Sequence, residues 1–403
     1  MSTETQTETA SAEMTITLAN RDLVQAIGAT ARARDARGRM PCLNWVTINP
    51  CAGGAEIGSN NLDRMAVIRI AARVEGDDFT ACVDAKALKD ALAMGLEKSV
   101  SLRFVFGPSG TRLHVNGMSL FCGVIGDAAP DFSQENATLW HFGEAAQILN
   151  ALKQTRHTES EEVTRFLLCG SYFTCAEKDG KRTASVVSTD GRAMRLVDTF
   201  PCSGFEGVGG VGAVELGDVS SFILPSESVE LLIAVAKNGP CSVTRADNHV
   251  FFEGEGWLVA SKHIDGNYPN YSAVIPSENK FLTAKRVKND ELETHLKRHL
   301  AVNVSKGKVD EKTQFSTKME ISEAGIKLTS VSDSMGTLET FMECAGKATG
   351  WKALVVALNP RLALNCIYDM PEGEIEISAI DGLSPVRFIS SNSKSICMPV
   401  RLS

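Results

Sequence analysis

No run of about eighteen uncharged apolar residues occurs in the sequence, so nothing predicts a membrane-spanning helix. The first thirteen residues, Met1 to Glu13, lack a basic start and an apolar centre, which argues against a secretory leader. Rich in Thr, Ser, Glu and Ala, residues 1–13 predict a disordered acidic tail. No C-x-x-C pair exists among the eleven cysteines. Odd in number and scattered from Cys42 to Cys397, they read as small buried apolar side chains in a reducing, cytoplasmic setting, and a zinc site is not expected. There is no G-K-[ST] and no H-E-x-x-H, which removes the usual phosphate-loop and zinc-hydrolase readings. Excess positive charge is missing too. The net charge of −8 is opposite to that of a domain that holds nucleic acid by simple electrostatics.

What is present is ordinary globular composition, 43 % apolar and 22 % charged, on 403 residues. That length predicts two to four domains. Strand-type alternation recurs in Met14–Leu18, Val100–Phe106, Ser185–Ser188, Lys318–Ser322 and Gly325–Thr329, punctuated by Gly, Asp and Asn turns. Short strands so spaced predict antiparallel sheet. One helical pattern appears three times, at Val83–Leu92, Leu224–Ile233 and Leu358–Ile367. Asp84, Ser226 and Asn359 suit its starts, and Pro225 and Pro360 suit its first turn. A second helix precedes each copy, at Asn20–Ile27, Gly143–Leu152 and Asp290–Leu300. The chain therefore reads as three homologous α+β domains, 14–135, 136–277 and 278–403, with breaks near Pro130-Asp131 and Pro269–Pro276.

The most specific strings lie in the second half. Ser188–Val197 sets Thr-Asp-Gly between two strands, and Ser261–Pro276 carries Ile-Asp-Gly-x-aromatic-Pro-x-Tyr. Ile380-Asp-Gly follows the third copy of the helix, and the chain closes on Met398-Pro-Val-Arg-Leu-Ser403. In this order, on a chain of three like thirds, they resemble the beta sliding clamp family of bacterial DNA polymerase III. The resemblance spans about residues 14–402 and is faintest in the first third.

The resemblance implies the DNA-clamp fold, two helices packed on antiparallel sheets in each domain, and a head-to-tail homodimer closing a six-domain ring lined by helices. It implies a processivity factor that encircles double-stranded DNA without reading its sequence. Its partners would be the replicative DNA polymerase catalytic subunit and the clamp loader, with no membrane, no cofactor and no catalysis of its own. A basic lining inside an acidic exterior would reconcile DNA binding with the negative net charge. Arg32, Arg34, Arg37 and Arg39 after the first helix are candidates for that lining. So are Lys297 and Arg298, within a cationic stretch that also includes Lys285, Arg286, Lys288, Lys306, Lys308 and Lys312. By family position Arg165, Phe166 and Leu167 belong near DNA, although the family often has two tyrosines at the last two. A pocket for partner peptides would be walled by Leu168, Thr189, Gly191, Arg192, Met194, Pro269, Val274, Leu362, Pro385, Met398, Pro399, Val400, Arg401 and Leu402. Ala193, Ala273 and Leu362 depart from the family pattern, which implies a changed preference among partner motifs.

Other signals point less far. Gly207–Gly212 is glycine-rich, but its flanks do not form a βαβ unit, so it reads as an insertion in a hairpin. His295 and His299 stand four apart on a helix with Lys297 and Arg298 between them, and read as a surface face rather than a metal site. Asp190 and Asp265 precede Gly and read as turn residues, not catalytic acids. Two other readings compete with the clamp. One is a nucleotide-dependent enzyme built on the glycine run. The other is a peptide-binding, repeat-built interaction protein that does not encircle DNA.

Overall fold

The computed structural model describes residues 13–35, 40–77, 79–95, 97–107, 110–123, 132, 138–178, 181–201, 203–207, 221–276, 283–304, 316–332, 335–348 and 354–401. The chain divides into two compact units. Unit 1 comprises Met1–Ala146, Ser203–Val214 and Glu230–His263; unit 2 comprises Gln147–Cys202, Glu215–Val229 and Ile264–Ser403.

Unit 1 holds a thirteen-stranded sheet. Eight of its strands close on themselves, because Glu13–Ala19 pairs antiparallel with both Ser99–Gly107 and Arg64–Gly76. The remaining five of the circuit are Gly110–Val115, Met118–Gly123, Ala81–Asp84, Trp45–Cys51 and Gly54–Asn60. Closure brings backbones close at Gly76, whose φ is +94° and where a Cβ would stand 2.1 Å from the Glu13 carbonyl oxygen. Only glycine fits there. From Arg64–Gly76 the sheet runs on through Trp257–Lys262, His249–Gly254, Cys241–Arg245, Thr138–Phe142 and Ser203–Gly207. Alternation places Met14, Ile16 and Leu18 inside.

Unit 2 holds two sheets. The nine-stranded one runs in the order Ser221–Pro225, Gly170–Lys178, Lys181–Thr189, Ala193–Pro201, Ser393–Cys397, Val386–Ile389, Glu374–Ala379, Thr283–Lys288, Ala345–Ala348. The four-stranded one runs Gly336–Glu343, Gly325–Ser332, Thr317–Ile321, Leu354–Leu358. Thr283–Lys288 pairs with both Glu374–Ala379 and Ala345–Ala348. That repeats the double pairing of Glu13–Ala19 in unit 1.

Six α-helices are described: α1 Asn20–Ala29, α2 Ala85–Ala93, α3 Ala145–Thr155, α4 Ser226–Val235, α5 Asn289–Val304 and α6 Pro360–Ile367. All six fall where the sequence pattern expects them. The Asp84 side chain caps α2 by accepting from Ala87 N at 2.8 Å, and Asn359 caps α6 by accepting from Arg361 N at 2.9 Å. Pro360 opens α6 as expected, whereas Pro225 ends a strand paired with Gly170 and α4 starts one residue later. Each helix turns a small apolar stripe inward: Leu23, Ala26 and Ile27 on α1, and Ala363, Leu364, Cys366 and Ile367 on α6. With Leu292 and Leu296 of α5, the α6 stripe joins a core that includes Met319, Ile326, Leu328 and Met342.

The expectation that His295 and His299 share a surface face is corrected at His299. Its side chain is fully buried, with Nδ1 2.9 Å from Ser330 Oγ and Nε2 2.9 Å from Thr340 Oγ1. Helix α5 carries leucines at 292 and 296, and 299 continues that inward row. Burial pushes the imidazole down to about 4, so it is held neutral as a hydrogen-bonding core residue. The glycine run beyond Gly207 lies outside the described residues.

Candidate functional site

The expected pocket residues gather in unit 2 around the pairing of Ala193–Pro201 with Ser393–Cys397. There Met194 stands opposite Ile396, and Ala193 opposite Cys397. The chain leaves this strand along the same edge, because Met398 N donates to Arg192 O at 2.8 Å. Val400 N then donates to Ala357 O at 2.8 Å, just before α6 begins. Pro385 adjoins Val386, which pairs with Cys397. The C-terminal segment thus joins the Thr-Asp-Gly turn to the α6 start that carries Leu362.

The turn is built by its own side chains. Asp190 Oδ1 accepts from Arg192 N at 2.7 Å and Ala193 N at 2.6 Å, and Thr189 Oγ1 accepts from Gly191 N at 3.0 Å. Gly191 adopts φ +85°. Asp381, in the Ile380-Asp-Gly string, likewise accepts from Leu383 N and Ser384 N, and those bonds hold its carboxyl below the usual range. Asp190 and Asp381 therefore serve the backbone. Arg165 ties a neighbouring 3-10 segment, Val163–Leu168, to the turn by donating to Asp190 O at 3.1 Å, and it pairs with Glu162 at 2.8 Å.

An apolar cluster that sequence reasoning missed lies beneath. Val187, Met194, Leu196 and Ile396 pack against Tyr172, Tyr268, Tyr271 and Ile275. Tyr172 stacks on Tyr268 at 4.7 Å between centroids and meets Tyr271 edge-on at 6.2 Å. Around it the proposed walls differ in exposure. Met398 is 42 % and Val274 52 % exposed, whereas Met194 at 3 % is floor rather than wall. Pro269, Gly191, Arg192 and Arg401 are exposed, and Leu168, Thr189, Leu362, Pro385, Pro399 and Val400 are half-buried. Ala193 is buried in the unit 2 core, so it offers the groove no side chain, while Ala273 is exposed. Leu402 lies outside the described residues. The signal that could have found the floor is the alternation Met194, Leu196 on one strand and Ile396 on its neighbour.

Arg195, between those two apolar residues, projects to the opposite face. It is fully buried, with Nε donating to Ser393 Oγ at 3.0 Å, Nη2 to Gln154 Oε1 at 2.8 Å and Nη1 to Tyr368 O. Burial lowers its pKa to about 10, which leaves it a cation at neutral pH.

The expected cationic residues separate into different environments. In unit 1, Arg32 is exposed and pairs with Glu230. Arg34 instead turns into the fold, with Nη2 donating to Ile27 O at 3.1 Å near the C-terminal end of α1, and burial lowers its pKa. Arg37 and Arg39 lie outside the described residues. In unit 2, Lys297 and Arg298 are exposed on α5, Lys297 paired with Glu293. Phe166 is 55 % exposed and Leu167 is half-buried. Lys285 does not face solvent; it is 1 % exposed and donates to Glu323 O at 2.9 Å. Among the described residues no group of three His, Cys, Asp or Glu could hold a metal ion, and no helix is long and apolar enough to cross a membrane.

No family model matches the chain. It is similar to the beta sliding clamp of Rickettsia felis, at 21 % identity over 94 % of this chain and 97 % of that protein. The beta sliding clamp of Rickettsia bellii is 23 % identical over the same shares. Among solved structures, a sliding clamp from Bartonella birtlesii bound to griselimycin superposes at TM-score 0.79 and 21 % identity, covering 96 % of this chain and all of that one. A Caulobacter crescentus beta sliding clamp gives 0.79 at 20 % identity, covering 97 % of this chain and all of that one. The fold, antiparallel sheets with helices packed on them, is that of the bacterial beta clamps.

Proposed function

We propose that this chain, a divergent beta clamp, is a DNA polymerase processivity factor: the ring subunit that encircles duplex DNA and tethers the replicative polymerase. The observation that carries the reading is the match of fold over nearly the whole of both chains, together with the arrangement around Ala193–Pro201. One face of that strand carries the tyrosine cluster, and apolar side chains such as Met398 and Val274 remain exposed, so we read this face as the groove. That is the character of a peptide-docking site. Polymerase and clamp-loader peptides are its proposed occupants. The pocket walls are Leu168, Thr189, Gly191, Arg192, Pro269, Val274, Leu362, Pro385, Met398, Pro399, Val400 and Arg401, over a floor that includes Met194. Arg32, Arg165, Lys297 and Arg298, with Phe166 and Leu167, form the proposed DNA lining. We further read the chain as a cytoplasmic accessory subunit, built of three clamp domains, that catalyses nothing itself.

Two strand edges favour a head-to-tail dimer. In unit 1, Met118–Gly123 pairs with Ala81–Asp84 only at Cys82↔Gly123 and Val83↔Cys122 among the described residues. Its first four residues are therefore an open edge, with Phe121 63 % exposed beside Arg112 and His114. In unit 2, Gly336–Glu343 ends its sheet with Phe341 48 % exposed, next to Glu339 and Glu343. An exposed apolar edge seeks a strand partner. Arg112 beside one edge and Glu343 on the other suit each other between two copies, whereas Glu339 is already paired with Lys327. Sedimentation at micromolar concentration is expected to give twice the 43.3 kDa chain mass, and particle images to show a ring with a hole wide enough for duplex DNA. Phe121→Asp or Phe341→Asp is expected to yield monomers. A wild-type monomer, or a compact dimer without a hole, would sink the reading.

A further inference from the structure

The turn after α6, Tyr368-Asp369, gathers cationic side chains from three other parts of unit 2. His157 Nε2 lies 2.7 Å from Asp369 Oδ2, and Arg156 Nη2 lies 3.9 Å from the same oxygen. The His157 ring stands 5.3 Å from the Tyr368 ring, and Lys297 Nζ sits 5.6 Å from that ring's centroid on its other partner element, α5. Behind the turn the buried Arg195 donates to Tyr368 O. His157 and Arg156 therefore face the Asp369 carboxylate, with the buried Arg195 guanidinium behind the turn, while Lys297, paired with Glu293, borders the Tyr368 ring. Asp369 is poorly suited to its own position. Its φ of +54° is one that aspartate adopts more readily than most side chains, but it follows the C-terminal end of α6, where the helix dipole disfavours negative charge. Its carboxylate is 47 % exposed, so solvent and larger anions reach the same cations.

We propose that Asp369 is a built-in phosphate mimic, its carboxylate occupying a phosphodiester-binding site formed by Arg156 and His157 and bordered by Lys297, from which the backbone of duplex DNA displaces it. The proposal rests on the sliding-clamp reading and adds to it a site and a regulation. A clamp must attract DNA yet let it move, and an internal carboxylate that competes for the cations keeps each phosphate contact weak. Both anions bind the same donors in the same way, as acceptors of charge-assisted hydrogen bonds, so occupancy is exclusive. The Tyr368 ring lies against both His157 and Lys297, next to the carboxylate's own residue. Arg195 fixes the Tyr368 carbonyl from below, which keeps the turn in its conformation.

The test uses the full-length protein and a 30-base-pair linear duplex of arbitrary sequence, with affinity followed by fluorescence anisotropy across a salt series. Asp369→Asn is expected to tighten binding roughly threefold at low salt, the effect of losing one competing surface ion pair. It should steepen the dependence of log affinity on log salt by about 0.9, the slope of one added phosphate contact. Asp369→Gly, which also suits the backbone conformation, is expected to do the same. The gain should vanish when Arg156→Ala and Lys297→Ala are added. Unchanged affinity and slope in both single variants, or a gain that survives loss of the two cations, would overturn the proposal. Retention of the wild-type protein on circular DNA is measured in parallel. Loss of retention with the Asp369→Asn gain intact contradicts the clamp reading and leaves the site standing, whereas retention without the gain contradicts the site alone.

Discussion

Arg195 and His299 are the residues whose roles depend most on the folded state. Each is polar, each is buried, and each is satisfied by partners far away in sequence. In the sequence Arg195 is one more basic residue near a turn, and His299 is half of an i, i+4 pair. Neither Gln154, Ser393 and Tyr368 nor Ser330 and Thr340 can be assigned to them without the pairing of distant strands. His299 carries a pH dependence with a definite sign. Its folded pKa of about 4 lies below the unfolded value of about 6.5, so folding favours the neutral ring. The stabilisation is complete above the unfolded value and is lost as pH falls from there toward the folded one. Between pH 7 and pH 5 that amounts to about 2 kcal/mol. Urea denaturation at the two pH values should show it, and His299→Gln should remove most of the difference. An unaltered pH dependence in the variant would contradict the assignment.

Among the elements, the helices were legible and the sheets only partly so. Helix positions follow from local signals, the Asp84 and Asn359 caps, Pro360, and apolar residues three and four apart, and these need no tertiary information. Strands were recognisable by alternation, yet alternation does not say which strand lies beside which. The doubled pairing of Glu13–Ala19, the tyrosine cluster under Met194 and the cations around Asp369 all come from long-range neighbours. The Thr-Asp-Gly string did announce a turn, because Asp190 and Gly191 meet a backbone requirement that any sequence would face, and that turn borders the proposed groove. The groove itself makes a prediction at this scale. Met398→Asp, at an exposed wall, is expected to weaken binding of a peptide carrying the apolar motif of a bacterial replicative polymerase by roughly tenfold or more. Sedimentation should show the dimer intact. Wild-type peptide affinity in this variant would remove the groove as the docking site.

For the whole molecule, the net charge of −8 does not oppose the proposed role on DNA, because a ring would be held by topology and would need only soft attraction inside. The described cations are unevenly committed: Arg34 and Lys285 serve the fold, while Lys297, Arg298 and Arg156 remain at the surface of unit 2. Enclosure of DNA separates a clamp from a peptide-binding protein of the same fold. The most direct measurement loads the protein onto nicked circular DNA with a clamp loader, then linearises the DNA and follows what stays bound. A clamp is expected to stay long on the circle and to leave the linear form rapidly through its ends. Equal loss from circle and line would contradict enclosure.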